Sequence, residues 1–202
     1  HAREKLCDLL ANYAAYTGQR MTVVFDAYQV NLASTAAVGV YEMAGGEANV
    51  SSVINFGRAD AGNVNCDSIL VQEGGELTTK STVLCCASSN NLSILTLGGG
   101  RFSSPGRFSK GVVASSEARG VYRRPEWSRA YLNFNGGTYH YTGKWELFST
   151  NDLLAIDRIT VFEKGATVEI DSGNTVYHNL PFQAPTGRGV ASVPWTGDFA
   201  GH

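Results

Sequence analysis

Two patterns of apolar and polar positions divide the chain. Across residues 2–17 the apolar side chains recur at spacings of three and four, which places them on one stripe of an α-helix. The stripe consists of Leu6, Leu9, Leu10, Tyr13 and Ala14. Gly18 stands where a glycine ends a helix, and residues 21–27 then predict a buried strand. We therefore expect a short α/β fragment over residues 1–30.

From about residue 36 the pattern changes to short apolar stretches separated by glycines and small polar residues. Five of these stretches align on a glycine pair, the last copy having lost one of the two glycines. The aligned glycines are Gly45 and Gly46, Gly74 and Gly75, Gly99 and Gly100, Gly136 and Gly137, and Gly165. This arrangement predicts a repeated unit of strand, glycine turn and strand.

Mostly apolar residues keep fixed positions around the turns when Lys164 serves as the reference of the last copy. Four residues before the reference stand Tyr41, Leu70, Leu95, Leu132 and Thr160. Two residues before it stand Met43, Gln72, Leu97, Phe134 and Phe162, and three residues after it stand Ala48, Leu77, Phe102, Tyr139 and Thr167. Because side chains of a strand alternate between faces, the first two sets share one face. We expect these positions to point into a core.

The reference positions 45, 74, 99, 136 and 164 are separated by 29, 25, 37 and 28 residues. A coil of that length holds about three short strands and their turns. The sequence thus predicts an all-β fold, a right-handed parallel β-helix (solenoid) over residues 36–196, preceded by a short N-terminal α-helix plus strand. The long interval predicts an excursion loop at residues 103–130, and residues 197–202 form a tail.

The composition of the chain argues against several classes of binding partner and cofactor. The net charge is −2 and charged residues make up 17% of the chain, so bulk attraction to nucleic acid is not expected. The apolar runs are too short for a membrane span. None of the four cysteines has the spacing of a zinc site, and no cofactor or metal is predicted. The chain begins within a helical pattern, and we expect a piece of a longer protein whose export signal lies elsewhere.

The repeat region resembles a known class of proteins. The segments GVYEMAGG, ILVQEGGELTT, LTLGGGRFSS, LNFNGGTYHYTG and DRITVFEKGATVEIDSG look like passenger repeats of bacterial autotransporter-type proteins. The resemblance implies an extended, exported β-helix with a structural or adhesive role and an extracellular or cell-surface location. The partners it implies are neighbouring coils of a longer solenoid and a surface glycan or another cell-surface component of a host. We therefore predict no catalysis.

Residues 2–29 resemble a different family. The stretch AREKLCDLLANYAAYTGQRMTVVFDAYQ is similar to the first helix and a strand of YacP-like NYN-domain ribonucleases. The resemblance implies a nuclease that holds a divalent metal with several acidic residues, of which only Asp26 has a counterpart here. One carboxylate cannot hold such a metal. An inactive remnant, a junction of unrelated reading frames near residues 30–36 and a genuine cap on the β-helix stay open as interpretations.

Two sets of charged residues suggest carbohydrate chemistry. Glu169 and Asp171 flank Ile170, so both carboxylates fall on one face about 7 Å apart, within the range of inverting glycosidases. The simpler interpretation is a solvated outward face, with Val168 and Ile170 inward. A second set, Asp152, Asp157, Glu163 and Lys164, is interpreted as scattered surface charge. A polysaccharide-active β-helix protein, the alternative function, requires such charges to cluster on one face of adjacent coils.

A basic and aromatic stretch lies in the predicted excursion, at Arg119, Tyr122, Arg123, Arg124, Trp127 and Arg129. Charge and stacking there suit an anionic glycan or a nucleic acid. A solvated loop with Trp127 packed on the stack is the simpler interpretation. His140 and His178 lie in strand-like segments without a partner at ligand spacing, and no Ser-His-Asp arrangement has the flanking residues of a known motif.

Overall fold

The structure, a computed structural model, describes residues 24–32, 38–56, 67–84, 92–110, 129–144, 146–148, 155–178 and 180–185. This part of the chain is all-β and contains no helix. The predicted helix over residues 2–17 lies outside it. A search of the described residues finds no helix with the length and apolarity that a membrane crossing needs.

Short strands follow one another along the described chain, joined by tight turns at most of the glycine pairs. In chain order they are β1 (Val24–Leu32), β2 (Val38–Met43), β3 (Glu47–Phe56), β4 (Asp67–Gln72), β5 (Glu76–Leu84), β6 (Leu92–Leu97), β7 (Arg101–Ser104), β8 (Phe108–Lys110), β9 (Arg129–Phe134), β10 (Thr138–Tyr141), β11 (Arg158–Val161), β12 (Thr167–Ile170) and β13 (Phe182–Gln183).

These strands form two parallel-stranded sheets. The front sheet has the order β1-β3-β5-β7-β10-β12, with β8 beside β5, and the back sheet has the order β2-β4-β6-β9-β11-β13. Every recorded pair of strands in both sheets is parallel. A repeat unit consists of a back-sheet strand, a turn and the following front-sheet strand. The predicted unit of strand, glycine turn and strand is confirmed.

The glycine turns of successive units stack on one another. Gly75 and Gly100 have positive φ angles of 74° and 67°, which disfavour residues with a Cβ. A Cβ on Gly100 would also meet the carbonyl oxygen of Gly75 and lie 2.6 Å from the carbonyl carbon of Gly74. The Arg101 amide donates to the Gly75 oxygen at 2.9 Å. Turn conformation and close stacking therefore both require glycine here.

The last repeat unit departs from the predicted alignment. Strand register pairs Leu132 with Ile159 and Tyr139 with Val168, rather than with Thr160 and Thr167 as predicted. The turn explains the error, because three residues (135–137) separate β9 from β10 whereas five (162–166) separate β11 from β12. Counting from one reference residue in that longer turn displaces both flanking strands by one position.

Inward side chains of both sheets form one apolar core. The back sheet contributes the column Leu70, Leu95, Leu132 and Ile159, each at most 1% exposed. Beside it lies an aromatic cluster of Phe102, Phe108, Tyr139 and Phe148, with ring centroids 4.8 to 6.2 Å apart. Full burial of each such side chain contributes about 1.5–3 kcal/mol. The predicted inward positions are thus confirmed for Leu70, Leu95, Leu132, Phe102 and Tyr139.

Strands occupy parts of two segments that the sequence assigned otherwise. Strands β7, β8 and β9 include residues 103–104, 108–110 and 129–130, all of which fall within the predicted excursion at 103–130. Residues 111–128 lie outside the described part. At the other end, β1 pairs with β3 from Val24 to Leu32, so the front sheet extends into the stretch that the sequence assigned to the α/β fragment.

Candidate functional site

The outward surface of β7, β10 and β12 carries a group of polar side chains. Strand register aligns Ser103 with His140 and Glu169, one behind the other across three neighbouring strands. Neighbouring strands of a sheet lie about 4.8 Å apart, so these side chains are within reach of one another. We call the group formed by Arg101, Ser103, His140, Glu169 and Asp171 the polar face.

His140 contacts two other members of the polar face, one with each ring nitrogen. Its Nδ1 lies 3.4 Å from the Ser103 Oγ, and its Nε2 lies 2.8 Å from the Asp171 Oδ1. A carboxylate only accepts hydrogen bonds, so the Asp171 contact requires a proton on Nε2. In the neutral ring Nδ1 is then unprotonated and accepts a hydrogen bond from the Ser103 hydroxyl group. The three residues form a directed chain from hydroxyl through imidazole to carboxylate.

The chain runs from a buried end to an exposed one. Ser103 is 7% exposed, whereas the side chains of His140 and Asp171 are 17% and 50% exposed. The serine is buried because it lies on a middle strand of the front sheet, between β5 and β10. Asp171 is exposed because it follows β12, the last strand of that sheet among the described residues. The arrangement therefore shields the hydroxyl and leaves the carboxylate in contact with solvent.

An ion pair borders this chain. The Arg101 Nη1 lies 2.6 Å from the Glu169 Oε2, and the two side chains are 39% and 42% exposed. The pair spans β10, because Arg101 is on β7 and Glu169 is on β12. At this exposure it contributes at most about 1 kcal/mol to stability. Its clearer effect is to hold a guanidinium group on the polar face.

The structure adds long-range contacts to two observations made from the sequence. The sequence shows no partner for His140 at ligand spacing, and in the structure Asp171 contacts it from 31 positions along the chain. Glu169 and Asp171 are at the surface, as the simpler interpretation predicted, but each is engaged by a different group: Arg101 and His140. They are therefore not a matched pair of free carboxylates flanking one scissile bond.

The repeat alignment could have predicted part of the polar face. Ser103 and His140 both stand four residues after the first glycine of their pairs, Gly99 and Gly136. Their contact follows from that shared position once the strands are known to be parallel and in register. Glu169 joins them only after the last unit is realigned to its longer turn.

The described members of the second charged set are not brought together. Asp157 precedes β11, where its Oδ2 accepts a hydrogen bond from the Ala130 amide at 2.7 Å. Glu163 and Lys164 lie in the turn at the opposite end of β11. Asp152 lies outside the described residues. The role of Asp157 is to join two neighbouring strands of the back sheet.

The other predicted binding residues fall mostly outside the described part of the chain. This holds for Tyr122, Arg123, Arg124 and Trp127, and also for Arg119. Arg129 is exposed as the first residue of β9. Asp26 is in β1, where its backbone faces Asn49 of β3.

His178 packs edge-on against Phe182, with ring centroids 5.8 Å apart. Among the described side chains, no group of three or more His, Cys, Asp and Glu residues is arranged to hold a metal ion.

Comparisons with known proteins match only the beginning of the chain. A family model described as a YacP-like NYN domain matches residues 1–41, about a fifth of the sequence. No curated protein and no solved structure matches the chain. Within the matched stretch the structure describes residues 24–32 and 38–41, which belong to β1 and β2. The resemblance of the repeats to autotransporter passengers has no support from these comparisons.

Proposed function

We propose that this chain is a segment of a right-handed parallel β-solenoid that serves as a structural or adhesive part of a large secreted or surface-exposed bacterial protein. The observation that carries the proposal is the alternation of strands between two parallel sheets. Each of β2, β4, β6, β9 and β11 leads through a turn into the next strand of the front sheet. A chain built in this way grows by adding units along one axis, which suits an elongated scaffold.

The exposed side chains of β12 and β13 support a further unit of the same solenoid as the partner. Ile170 of β12 is 43% exposed and Phe182 of β13 is 37% exposed. Their register neighbours one strand inward, Tyr141 and Ile159, are 2% and 0% exposed. An additional unit of the same type would cover both apolar side chains and pair with the strand edges. The partner that fits this end is a neighbouring coil of the solenoid.

The solenoid is tested by lengthening it by one unit. A second copy of residues 73–97 is inserted after Leu97, which is the register equivalent of Gln72 and therefore keeps every strand in phase. We expect a chain that unfolds cooperatively and is about 4.8 Å longer by small-angle X-ray scattering. The control is an insertion of the same length made of glycine and serine. Equal loss of stability in both proteins would contradict the proposal.

Glycan binding at the polar face is a second candidate. It is favoured by the clustering of Arg101, His140, Glu169 and Asp171 on adjacent units, the arrangement expected of a carbohydrate-active β-helix protein. A glycan microarray probed with the wild-type chain and with Arg101→Ala tests it. The matched control is Arg107→Ala, since Arg107 forms an equally short ion pair with Glu146, and neither residue belongs to the polar face. Binding that both variants retain equally would exclude the polar face.

The family match at residues 1–41 favours a third candidate, an inactive remnant of a NYN-type ribonuclease. Asp26 is the acidic position that corresponds to the family pattern. We expect no RNA cleavage by the chain in the presence of Mg²⁺ or Mn²⁺. Metal-dependent cleavage that Asp26→Asn abolishes would instead make the chain an active nuclease.

A further inference from the structure

We propose that Ser103 is a nucleophile activated by His140 and positioned through Asp171, and that the polar face hydrolyses esters of small carboxylic acids. The inference goes beyond the structural role and departs from the expectation that the chain is not an enzyme. It rests on Ser103 and His140, which lie on neighbouring strands, and on Asp171, which directly follows the next strand; the three share hydrogen-bond contacts in one direction.

The first step concerns the base. Serine is a weak nucleophile until an adjacent base removes its proton. The Nδ1 atom of His140 lies 3.4 Å from the Ser103 Oγ and is the unprotonated nitrogen of the neutral ring, because Nε2 donates to Asp171. A contact of this length is typical of a site without substrate, where such hydrogen bonds are looser than in the reacting complex. The His140 Nδ1 atom is therefore unprotonated and next to the Ser103 hydroxyl, as a base for this serine must be.

The second step concerns orientation. Asp171 fixes the imidazole by accepting from Nε2 at 2.8 Å and stabilises the positive charge that the ring acquires. Asp171 does not touch the reacting atoms and is a positioning residue. The adjacent serine illustrates the contrast: the Ser104 hydroxyl is directed at the backbone of Gly106, donating to its oxygen and accepting from its amide. Of these two neighbouring serines, Ser103 is the one that faces the imidazole.

The reaction follows in two balanced stages. The Ser103 oxygen attacks the ester carbonyl carbon while its proton passes to Nδ1; the bond to the alkoxy group then breaks, and that group leaves as an alcohol with the proton. Water next attacks the acyl-serine, His140 accepts a proton from the water, and the proton returns to the serine oxygen as the carboxylic acid departs. The net change is one water consumed per ester cleaved.

Arg101 suits the charge that develops during both stages. Its side chain lies on the same face as Ser103, two positions earlier on β7, and Glu169 holds its guanidinium group in place. A fixed cation attracts the negative oxygen of a tetrahedral intermediate. The low exposure of Ser103 sets the substrate class, because only a small acyl group reaches a hydroxyl that is 7% exposed.

The test uses p-nitrophenyl acetate as substrate and a fluorophosphonate as covalent probe on the whole chain. We expect hydrolysis above the buffer rate and a single phosphonylated peptide that contains Ser103. Ser103→Ala should abolish both, and His140→Gln should lower hydrolysis at least a hundredfold. Asp171→Asn should lower kcat by a similar factor with little change in KM, which a merely structural role would not produce. Ser51→Ala, an exposed serine in β3, is the control and should match the wild type.

The outcomes are decisive without relying on any one variant. A wild-type chain that is neither labelled nor active overturns the proposal, and so does labelling at a different serine. If Ser103→Ala loses its fold by circular dichroism, the site of labelling on the wild-type chain, identified by mass spectrometry, still decides. A wild-type chain that hydrolyses the ester but binds no glycan would count against the glycan candidate alone.

Discussion

The side-chain amide of Gln72 lies inside the core and donates from Nε2 to the carbonyl oxygen of Arg101, 3.0 Å away on the next unit. It also donates to the Gly75 oxygen at 3.1 Å. The register neighbours of Gln72 are Met43 and Leu97, so the glutamine interrupts an otherwise apolar column. Its Oε1 is buried and has no hydrogen-bond partner. Gln72 thus links a turn to the neighbouring strand while one of its atoms remains unsatisfied.

This geometry predicts effects of very different size for two substitutions. Gln72→Leu removes the unsatisfied oxygen and restores the apolar column at the loss of two hydrogen bonds, so we expect stability to change by less than about 1.5 kcal/mol. Gln72→Glu places a charge among apolar side chains and should cost more than about 3 kcal/mol at neutral pH. Urea denaturation measures both. Equal destabilisation would show that the amide hydrogen bonds, rather than burial, dominate at this position.

Three glycines that differ in space and conformation predict a graded series of alanine substitutions. Gly45 has open space around it and no positive φ, so Gly45→Ala should change stability by less than about 1 kcal/mol. Gly165 also has space but a φ of 83°, and alanine there should cost about 1–2 kcal/mol. Gly100 adds the clash with the preceding turn, so its cost should exceed both. Thermal and urea unfolding of the three variants would reveal any other order.

Tyr139 predicts a loss of stability at alkaline pH. Burial raises the pKa of its hydroxyl well above the usual value, with a further contribution from Tyr141. The unfolded chain therefore loses this proton at about pH 10 while the folded chain retains it. The contribution of the Tyr139 hydroxyl to stability is complete below about pH 10 and decreases as the pH rises above that value. In the Tyr139→Phe variant stability should decrease less with pH, which urea denaturation midpoints measured between pH 7 and 11 would show.

The control for this effect is Tyr177→Phe, because Tyr177 is 67% exposed. It should leave the alkaline dependence unchanged. At neutral pH Tyr139→Phe should cost about 1 kcal/mol, since it removes the hydrogen bond from the hydroxyl to the Gly106 oxygen at 3.2 Å. An alkaline dependence identical in wild type and Tyr139→Phe would assign the effect to other groups.

The sequence predicts the parts of this fold that local chemistry determines. The inward positions Leu70, Leu95 and Leu132 could be found because alternation along a strand and glycine at a turn are visible within about ten residues. The last unit could not be aligned correctly, because Phe162 is buried like an inward strand residue but lies in the lengthened turn, outside β11. Apolarity alone does not distinguish these two positions.

The polar face depended on information that a single sequence does not display. Ser103 and His140 are 37 residues apart, and His140 and Asp171 are 31 apart. The contact between His140 and Asp171 arises because β10 and β12 pair in register and the aspartate follows directly after β12. The position within the repeat is enough to predict the contact between Ser103 and His140. The contact between His140 and Asp171 also requires the correct alignment of the longer turn.

Two phenylalanines that touch the same ring predict how stability is distributed along the stack. Phe108 and Phe182 both pack against Phe148, with centroid distances of 6.2 and 6.3 Å. Phe108 is fully buried, whereas Phe182 is 37% exposed at the last described strand of the back sheet. Phe108→Ala leaves a cavity and should cost about 3–5 kcal/mol, while Phe182→Ala should cost less than half as much. Urea denaturation followed by tryptophan fluorescence measures the difference, and similar losses would mean that the end of the stack is as tightly packed as its centre.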